Sequence, residues 1–488
     1  MAHSVLRFSG QSFRIDCDQT IDSKRDNPRS TSRMRQARQK QLNLTPEWLP
    51  LEHARELQAI DRVLEQNPAM AELIWRDLSA GRMVKNQGAE GMSADQVLRA
   101  LLVKQLNGFS YRQLAFHLAD SMSYRVFCGL RFGQRPSKTV LAACIKAIRH
   151  ETLEQINRIV VGVAIEDKIE DGSRVRVDTT VVESNIHTPL DSNLLWDCVR
   201  VLARLTEKAR AIPGIEVRFP NRTRRAKRRA LGILNARFKD KRKPLYRDLV
   251  LVAKETIEFA NGTVAAIDDV LAAETLDVTD RVGAVAARKE LLHYVGLSLR
   301  VINQTERRVF DEESVPAKEK LVSIFEEHTD IIVKDHRETL YGHKICLTSG
   351  RSSLITDCTI LEGNPADSTL AEQMIDRHID ILGKAPKQVA YDGGFTSKAN
   401  LEAIKSKGVT DVAFSKARSL KISDMVRSSW IYKKLRNFRA GIEGTISFLK
   451  RIFGLDRCTW RSFPSFRSYV WSSILTFNLL VIARHELA

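Results

Sequence analysis

Acids are scarce in this chain relative to bases: 59 Asp and Glu stand against 77 Lys and Arg in 488 residues, a formal charge of +18. That deficit favours a polyanionic partner, nucleic acid first. Cysteines are few and scattered, seven in all, at 17, 128, 144, 198, 346, 358 and 458. They form no CxxC pair and match neither a disulfide framework nor a zinc site, which fits a reducing cytosol. The N-terminus lacks an apolar h-region, so no secretion signal is expected. The most apolar run, 474–483, is too short to span a bilayer and is interrupted by Thr476 and Asn478, so no membrane partner is expected. No internal repeat is present. With 43 % hydrophobic residues the chain can build ordinary buried cores, and its length suggests about three domains.

Residues 1–45 are polar and rich in Arg, Ser and Gln, which reads as a basic flexible arm. From 46 to 150 the pattern turns helical. Ser93-Ala-Asp-Gln96 and Ser110-Tyr-Arg-Gln113 each have the form of a capping box, separated by Asn107-Gly108. Two capped helices across a glycine turn resemble a helix-turn-helix, although most helical hairpins bind no DNA. Residues 173–182 alternate like a half-buried strand carrying Asp178. Helical, polar sequence fills 203–330. Within it, 218–243 holds twelve Lys or Arg against a single acid, Asp240. Such a run is either solvated surface or a clamp on phosphates, with Arg224, Arg225, Arg228 and Arg229 as candidate DNA contacts.

Beyond 330, short runs at 331–333, 343–347 and 354–360 predict an antiparallel meander. A helix follows at about 369–382. A strand then runs into Asp392-Gly-Gly, and a helix and a second strand complete a β-α-β unit. The stretch Arg436-Asn-Phe-Arg439-Ala-Gly-Ile-Glu443 continues to Lys450 at helical spacing. Ile442, Ile446, Leu449 and Phe453 fall on one side, and Arg439, Glu443 and Lys450 share a neighbouring face. That face is either an ordinary solvated one with i,i+4 ion pairs or part of a site. Asp178, Asp392 and Glu443 could converge, and three carboxylates need a cation to coexist. Their oxygen-only chemistry points to Mg²⁺ or Mn²⁺, two ions in the arrangement that cleaves phosphodiesters. His187, close in sequence to Asp178, is a candidate accessory residue, with a local hydrogen bond as the alternative. Asp191, Asp197, Lys344 and Lys416 are weaker candidates of the same kind.

Taken together, Val-Asp178-Thr-Thr-Val-Val, Tyr-Asp392-Gly-Gly-Phe and Arg439-(3)-Glu443-(6)-Lys450 resemble the DDE transposases of bacterial insertion sequences. Leu106-Asn-Gly-Phe-Ser-Tyr-Arg-Gln-Leu-Ala115 resembles the N-terminal domain of one branch, and Ser184-Asn-Ile-His-Thr-Pro-Leu-Asp-Ser192 is similar to the ISNCY group. The resemblance implies an α/β fold: an RNase H-like mixed sheet flanked by helices, with an N-terminal all-helical domain and a helical basic insertion. It divides the chain into a DNA-binding domain at 46–150, a catalytic core at 171–202 and 331–488, and the insertion at 203–330. It makes Asp178, Asp392 and Glu443 the metal-binding catalytic residues and Arg439 and Lys450 phosphate contacts. Arg436 stands where relatives carry tyrosine, and a cation there can bind phosphate but cannot stack on a base. The expected partners are double-stranded DNA, as terminal inverted repeats and as target, and a second copy of the chain in a synaptic dimer. The expected location is the bacterial cytoplasm, at the nucleoid. A metal-dependent nuclease without strand transfer and a domesticated DNA-binding protein remain alternatives.

Overall fold

The computed structural model describes residues 51–80, 91–273, 276–334, 338–417 and 420–488; the expected basic arm at 1–45 lies outside them. Seven described helices come first: α1 (Glu52–Gln66), α2 (Ala69–Ser79), α3 (Ala94–Leu106), α4 (Tyr111–Asp120), α5 (Met122–Phe127), α6 (Lys138–Lys146) and α7 (His150–Glu166). Both capping boxes form. Ser93 Oγ accepts from Gln96 N at 3.2 Å while Gln96 Oε1 accepts from Ser93 N at 3.1 Å, and Ser110 and Gln113 repeat the exchange. Gly108 turns the chain between α3 and α4 at φ +62°, a left-handed conformation that a Cβ would strain. Helix α3 is buried on nearly all sides, so it is the centre of the helical array. Its one buried arginine, Arg99, is 3 % exposed and is held by Asp61 and Glu65 of α1 and Asp95 of its own first turn.

Strand β1 (Arg174–Glu183) is separated in sequence from β2 (Asp330–Lys334), β3 (Glu338–Ser349) and β4 (Ile355–Ile360). Helix α8 (Asp191–Ala209) opens the intervening segment and α9 (Thr223–Asn235), α10 (Lys239–Ala272) and α11 (Val278–Val309) complete it. After β4 come α12 (Ala371–Leu382), β5 (Gln388–Tyr391), α13 (Lys398–Ser406), β6 (Asp411–Phe414), α14 (Ile422–Met425), α15 (Ser429–Ile452) and α16 (Phe463–Leu487). The sheet runs β2-β3-β1-β5-β6, with β4 also on β3. The β2–β3, β3–β4 and β3–β1 pairs are antiparallel and β1–β5 and β5–β6 parallel. This mixed sheet flanked by helices is the architecture expected of an RNase H-like core.

Alternation sorts the strand residues. Val175 and Val177 pack with α12 and α13, while Val182 packs with α15 and α16 on the other face. Glycine is required at 342, because a Cβ there would run into the Val182 carbonyl across the β1–β3 pair. Helix α16 is long and apolar enough to cross a bilayer, yet 89 % of its most apolar window is buried inside the protein. Its polar residues have internal partners. Asn478 accepts from Ile355 N at 2.9 Å and donates to Ile355 O and Asn157 Oδ1 at 2.8 Å, which fixes α16 to β4 and α7.

The four helices α8 to α11 enclose their own core, built from Leu195, Val199, Leu202, Leu249, Val252, Leu291 and Val301 among others. The basic run at 218–243 finds counter-charges within this bundle. Arg225 and Arg229 both bind Asp248, Arg222 pairs with Glu255, and Lys243 pairs with Glu312 at 2.9 Å. Arg224, Lys227 and Arg228 stay exposed.

Beneath the far edge of the sheet, Asp411 accepts from Arg427 Nη2 and Gln388 Nε2, both at 2.9 Å, and from Arg427 N at 3.1 Å. Burial opposes its charge, but these bonds and the Arg427 charge hold its carboxyl below the usual range. A depressed folded-state pKa contributes stability above the unfolded value of about 4 and loses it as pH falls through the folded value. The stability gap between the protein and Asp411→Asn is therefore expected to be full near neutrality and to close on acidification below about pH 4, in urea titrations at several pH values.

Candidate active site

The register of β1 and β5 sets the site. Val177 lies opposite Tyr391, the last residue of β5, so the next residues along the two parallel strands, Asp178 and Asp392, are neighbours where β5 ends. Helix α15 crosses this face, tied down from below by Arg176. The Arg176 guanidinium donates to the Phe438 carbonyl at 2.9 Å and to Ser353 Oγ at 3.0 Å, and lies 4.8 Å from the Phe438 ring centroid. The close crossing needs Gly441, because a Cβ there would overlap the Arg176 guanidinium. This clamp sets Arg439 and Glu443 over the two aspartates.

A single guanidinium then meets all three acids. Arg439 Nη2 lies 2.9 Å from Asp178 Oδ2 and 3.5 Å from Asp392 Oδ1, and Arg439 Nη1 donates to Glu443 Oε1 at 2.5 Å. The Arg439 side chain is 16 % exposed and the Asp178 side chain 12 %, whereas that of Glu443 is 62 % exposed. The Asp178 carboxyl is raised to about 6, chiefly by burial and further by Asp392 and Glu443, against the pull of Arg439 and the Thr179 N–H. Asp392 moves the other way. Burial alone would raise it, but the Gly393 N–H, the Ser415 hydroxyl at 2.9 Å and the charges of Arg439 and Lys416 hold it below the ordinary range.

The acids open onto a cleft of about 1180 Å³, lined also by Lys344, Asp367, Lys450 and Arg451. Asp367 is a fourth carboxylate that sequence reasoning missed. It pairs with Lys344 at 2.5 Å and accepts from Thr179 Oγ1 at 3.2 Å, beside Asp178. The chain also makes room for it, since a Cβ on Gly394 would meet its Oδ2 at 2.6 Å. Its signal was faint: an aspartate in the turn-like run Gly363-Asn-Pro-Ala-Asp367-Ser between a strand and a helix.

The other sequence candidates divide. Lys450 lines the cleft, with its ammonium 3.7 Å from Asp456. Arg436 lies in a separate hollow with Lys433, Asn437 and Ser415, its guanidinium 5.9 Å from the Tyr432 ring centroid. His187 does not line the cleft; its Nε2 is 3.2 Å from Asp197, which also takes Arg200. Asp191 is bound by Arg308 at 2.9 Å and helps close the helical bundle. Arg225 and Arg229 are committed to Asp248, away from the three acids.

The donor set suits a hard divalent ion in kind, being oxygen-only and acidic. Among the described residues, however, no group of three His, Cys, Asp or Glu side chains is spaced to hold a metal ion. Arg439 stands among the three carboxylates and supplies the positive charge they require.

A mixed sheet of this order, with neighbouring aspartates on β1 and just past the end of the parallel strand β5 and a glutamate on the helix above, is consistent with an RNase H-like core. Comparison with protein families narrows it. Residues 304–479 match the transposase DDE domain, and residues 47–147 match a second transposase domain (DUF772). The two matches together support an insertion-sequence DDE transposase. Asp392, Arg439, Glu443 and Lys450 lie inside the matched DDE domain, and Asp178 lies between the two matches. Neither match separates the ISNCY group from other branches. Neither a search of curated proteins nor one of solved structures finds a match.

Proposed function

We propose that the protein cleaves DNA at the ends of its insertion sequence and joins the freed 3′-hydroxyl to target DNA, with Asp178, Asp392 and Glu443 holding two Mg²⁺ or Mn²⁺ ions. One observation carries the reading: acids from β1, the end of β5 and α15, distant in sequence, meet at one guanidinium. When bound, the ions would activate the attacking oxygen and stabilise the leaving one. Arg439 has two roles in this scheme. In one it bridges the three acids and offsets part of their charge. With DNA in the cleft it turns to a phosphate and releases them, so DNA engagement prepares the carboxylates for metal. Lys450 and Arg451 line the same wall and hold the backbone of the cleaved end. Arg436, in the adjoining hollow with Lys433, takes a second phosphate.

Residues 46–150 are read as the end-recognition domain, 171–202 with 331–488 as the catalytic core and 203–330 as a DNA-contacting insertion. Cutting two ends implies a homodimer acting at the nucleoid. The test is incubation with a 3′-OH end, a target plasmid and Mn²⁺. Joined product supports the reading, and cleavage without joining would leave the nuclease alternative.

Within the insertion, phosphate contact falls to Arg224, Lys227 and Arg228, because Arg225 and Arg229 are engaged by Asp248. Changing those three to glutamine is expected to make the slope of log K against log[salt] shallower by roughly 2–3, at about 0.9 per phosphate contact. Changing Arg225 and Arg229 instead should leave the slope and lower the stability of the bundle. Filter-binding titrations across salt read the difference.

A further inference from the structure

The most exposed large apolar side chain at the described surface belongs to none of the sites above. Phe132 is 101 % exposed, against 81 % for Val278, the next highest. It sits at the tip of the turn Arg131-Phe132-Gly133-Gln134-Arg135 between α5 and α6. The turn is held firmly from beneath. Arg125 donates to the carbonyls of Leu118 at 3.2 Å, Gln134 at 3.1 Å and Arg131 at 2.8 Å. Gln134 N donates to Arg131 O and its side-chain Oε1 accepts from Arg131 N, both at 3.0 Å. Gln96 of the buried helix α3 donates to Gly129 O at 2.7 Å and pairs with the Gln134 amide. Gly133 takes φ +78°, which lets the chain reverse there. These hydrogen bonds fix the turn beneath a ring that packs on none of the described residues, with Arg131 and Arg135 on either side and Lys138 in the first turn of α6.

We propose that this tip is a DNA-contacting wedge in which Phe132 stacks on a base while the flanking cations meet the neighbouring phosphates. An aromatic ring between cations matches the alternation of base and phosphate along a strand. An apolar wedge at a base step unstacks it and bends the duplex. A rigid mount lets the ring enter without first paying the entropy of ordering a loop. The inference rests on the reading of the chain as a DNA-acting transposase and adds to it a site on the helical domain, outside the catalytic cleft.

The experiment uses the full chain and duplex DNA bracketing its reading frame, with 2-aminopurine placed at successive positions. Binding of the unaltered protein is expected to raise the fluorescence at one step. Phe132→Ala should abolish that rise and weaken binding by about 10-fold with the salt slope unchanged, while Phe132→Trp should preserve both. Because the ring packs on none of the described residues, the alanine variant keeps the fold, which circular dichroism confirms. Equal fluorescence and affinity for Phe132→Ala would overturn the proposal. So would unchanged DNA binding with an altered oligomeric state, which would make the tip a protein contact. If the unaltered protein bound no DNA, the transposase reading itself would fail, an outcome distinct from a wedge that does not insert.

Discussion

Asp178→Asn, Asp392→Asn and Glu443→Gln are each expected to lower cleavage at the element ends by at least about 10³-fold, roughly 4 kcal/mol of barrier, with DNA binding kept. The expectation follows from the division of labour in the cleft. The three carboxylates face one another across Arg439, whereas Lys450 and Arg451 line the wall beyond them. Amide replacements keep size and hydrogen-bonding capacity but remove the anionic oxygens that a divalent ion needs. Cleavage of a labelled end fragment, beside a gel-shift titration on the same DNA, separates chemistry from binding. Any variant that retained full cleavage would have no place in the catalytic centre.

The second large effect is on stability. Arg99→Met is expected to destabilise the helical array by about 2–3 kcal/mol, because a buried guanidinium that bonds three carboxylates and a backbone carbonyl is lost. Arg99 joins Asp61 and Glu65 of α1 to Asp95 of α3 and also donates to the Phe127 carbonyl at 2.9 Å, so it connects three helices. A urea titration followed by circular dichroism measures the loss. A shift within experimental scatter would mean that the acids, 16–52 % exposed, are hydrated well enough to stand without the guanidinium.

Much of the fold was legible because local rules and tertiary structure agree. The serine–glutamine capping boxes at 93 and 110 open real helices, and the alternation at 173–182 marks β1. Asp392 was placed correctly after a short strand, and the spacing of Ile442 and Leu449 gives the buried side of α15. What sequence could not give was partnership across distance. Arg225 and Arg229 read as candidate DNA contacts, yet both pair with the one carboxylate of Asp248 on the next helix. His187 is near Asp178 in sequence, but Asp197 holds it outside the cleft. Arg176 looked like a polar residue on a half-buried strand and is the clamp that fixes α15. Asp367, which sequence reasoning missed, borders the acids. Arg439 was expected to face phosphate and is found facing the three acids. Each of these depends on which elements become neighbours, and hydrophobic periodicity says nothing about that.

The central claim is that Asp178, Asp392 and Glu443 hold divalent metal once Arg439 lets them go. Titration of Mn²⁺ into the protein, followed by electron paramagnetic resonance with and without DNA from the element ends, tests it most directly. The account predicts weak binding by the protein alone, tighter binding with DNA, and tighter binding without DNA in Arg439→Gln. Each carboxylate variant should lose the bound signal. Equal Mn²⁺ binding by the unaltered protein and all three carboxylate variants, with DNA present, would contradict it.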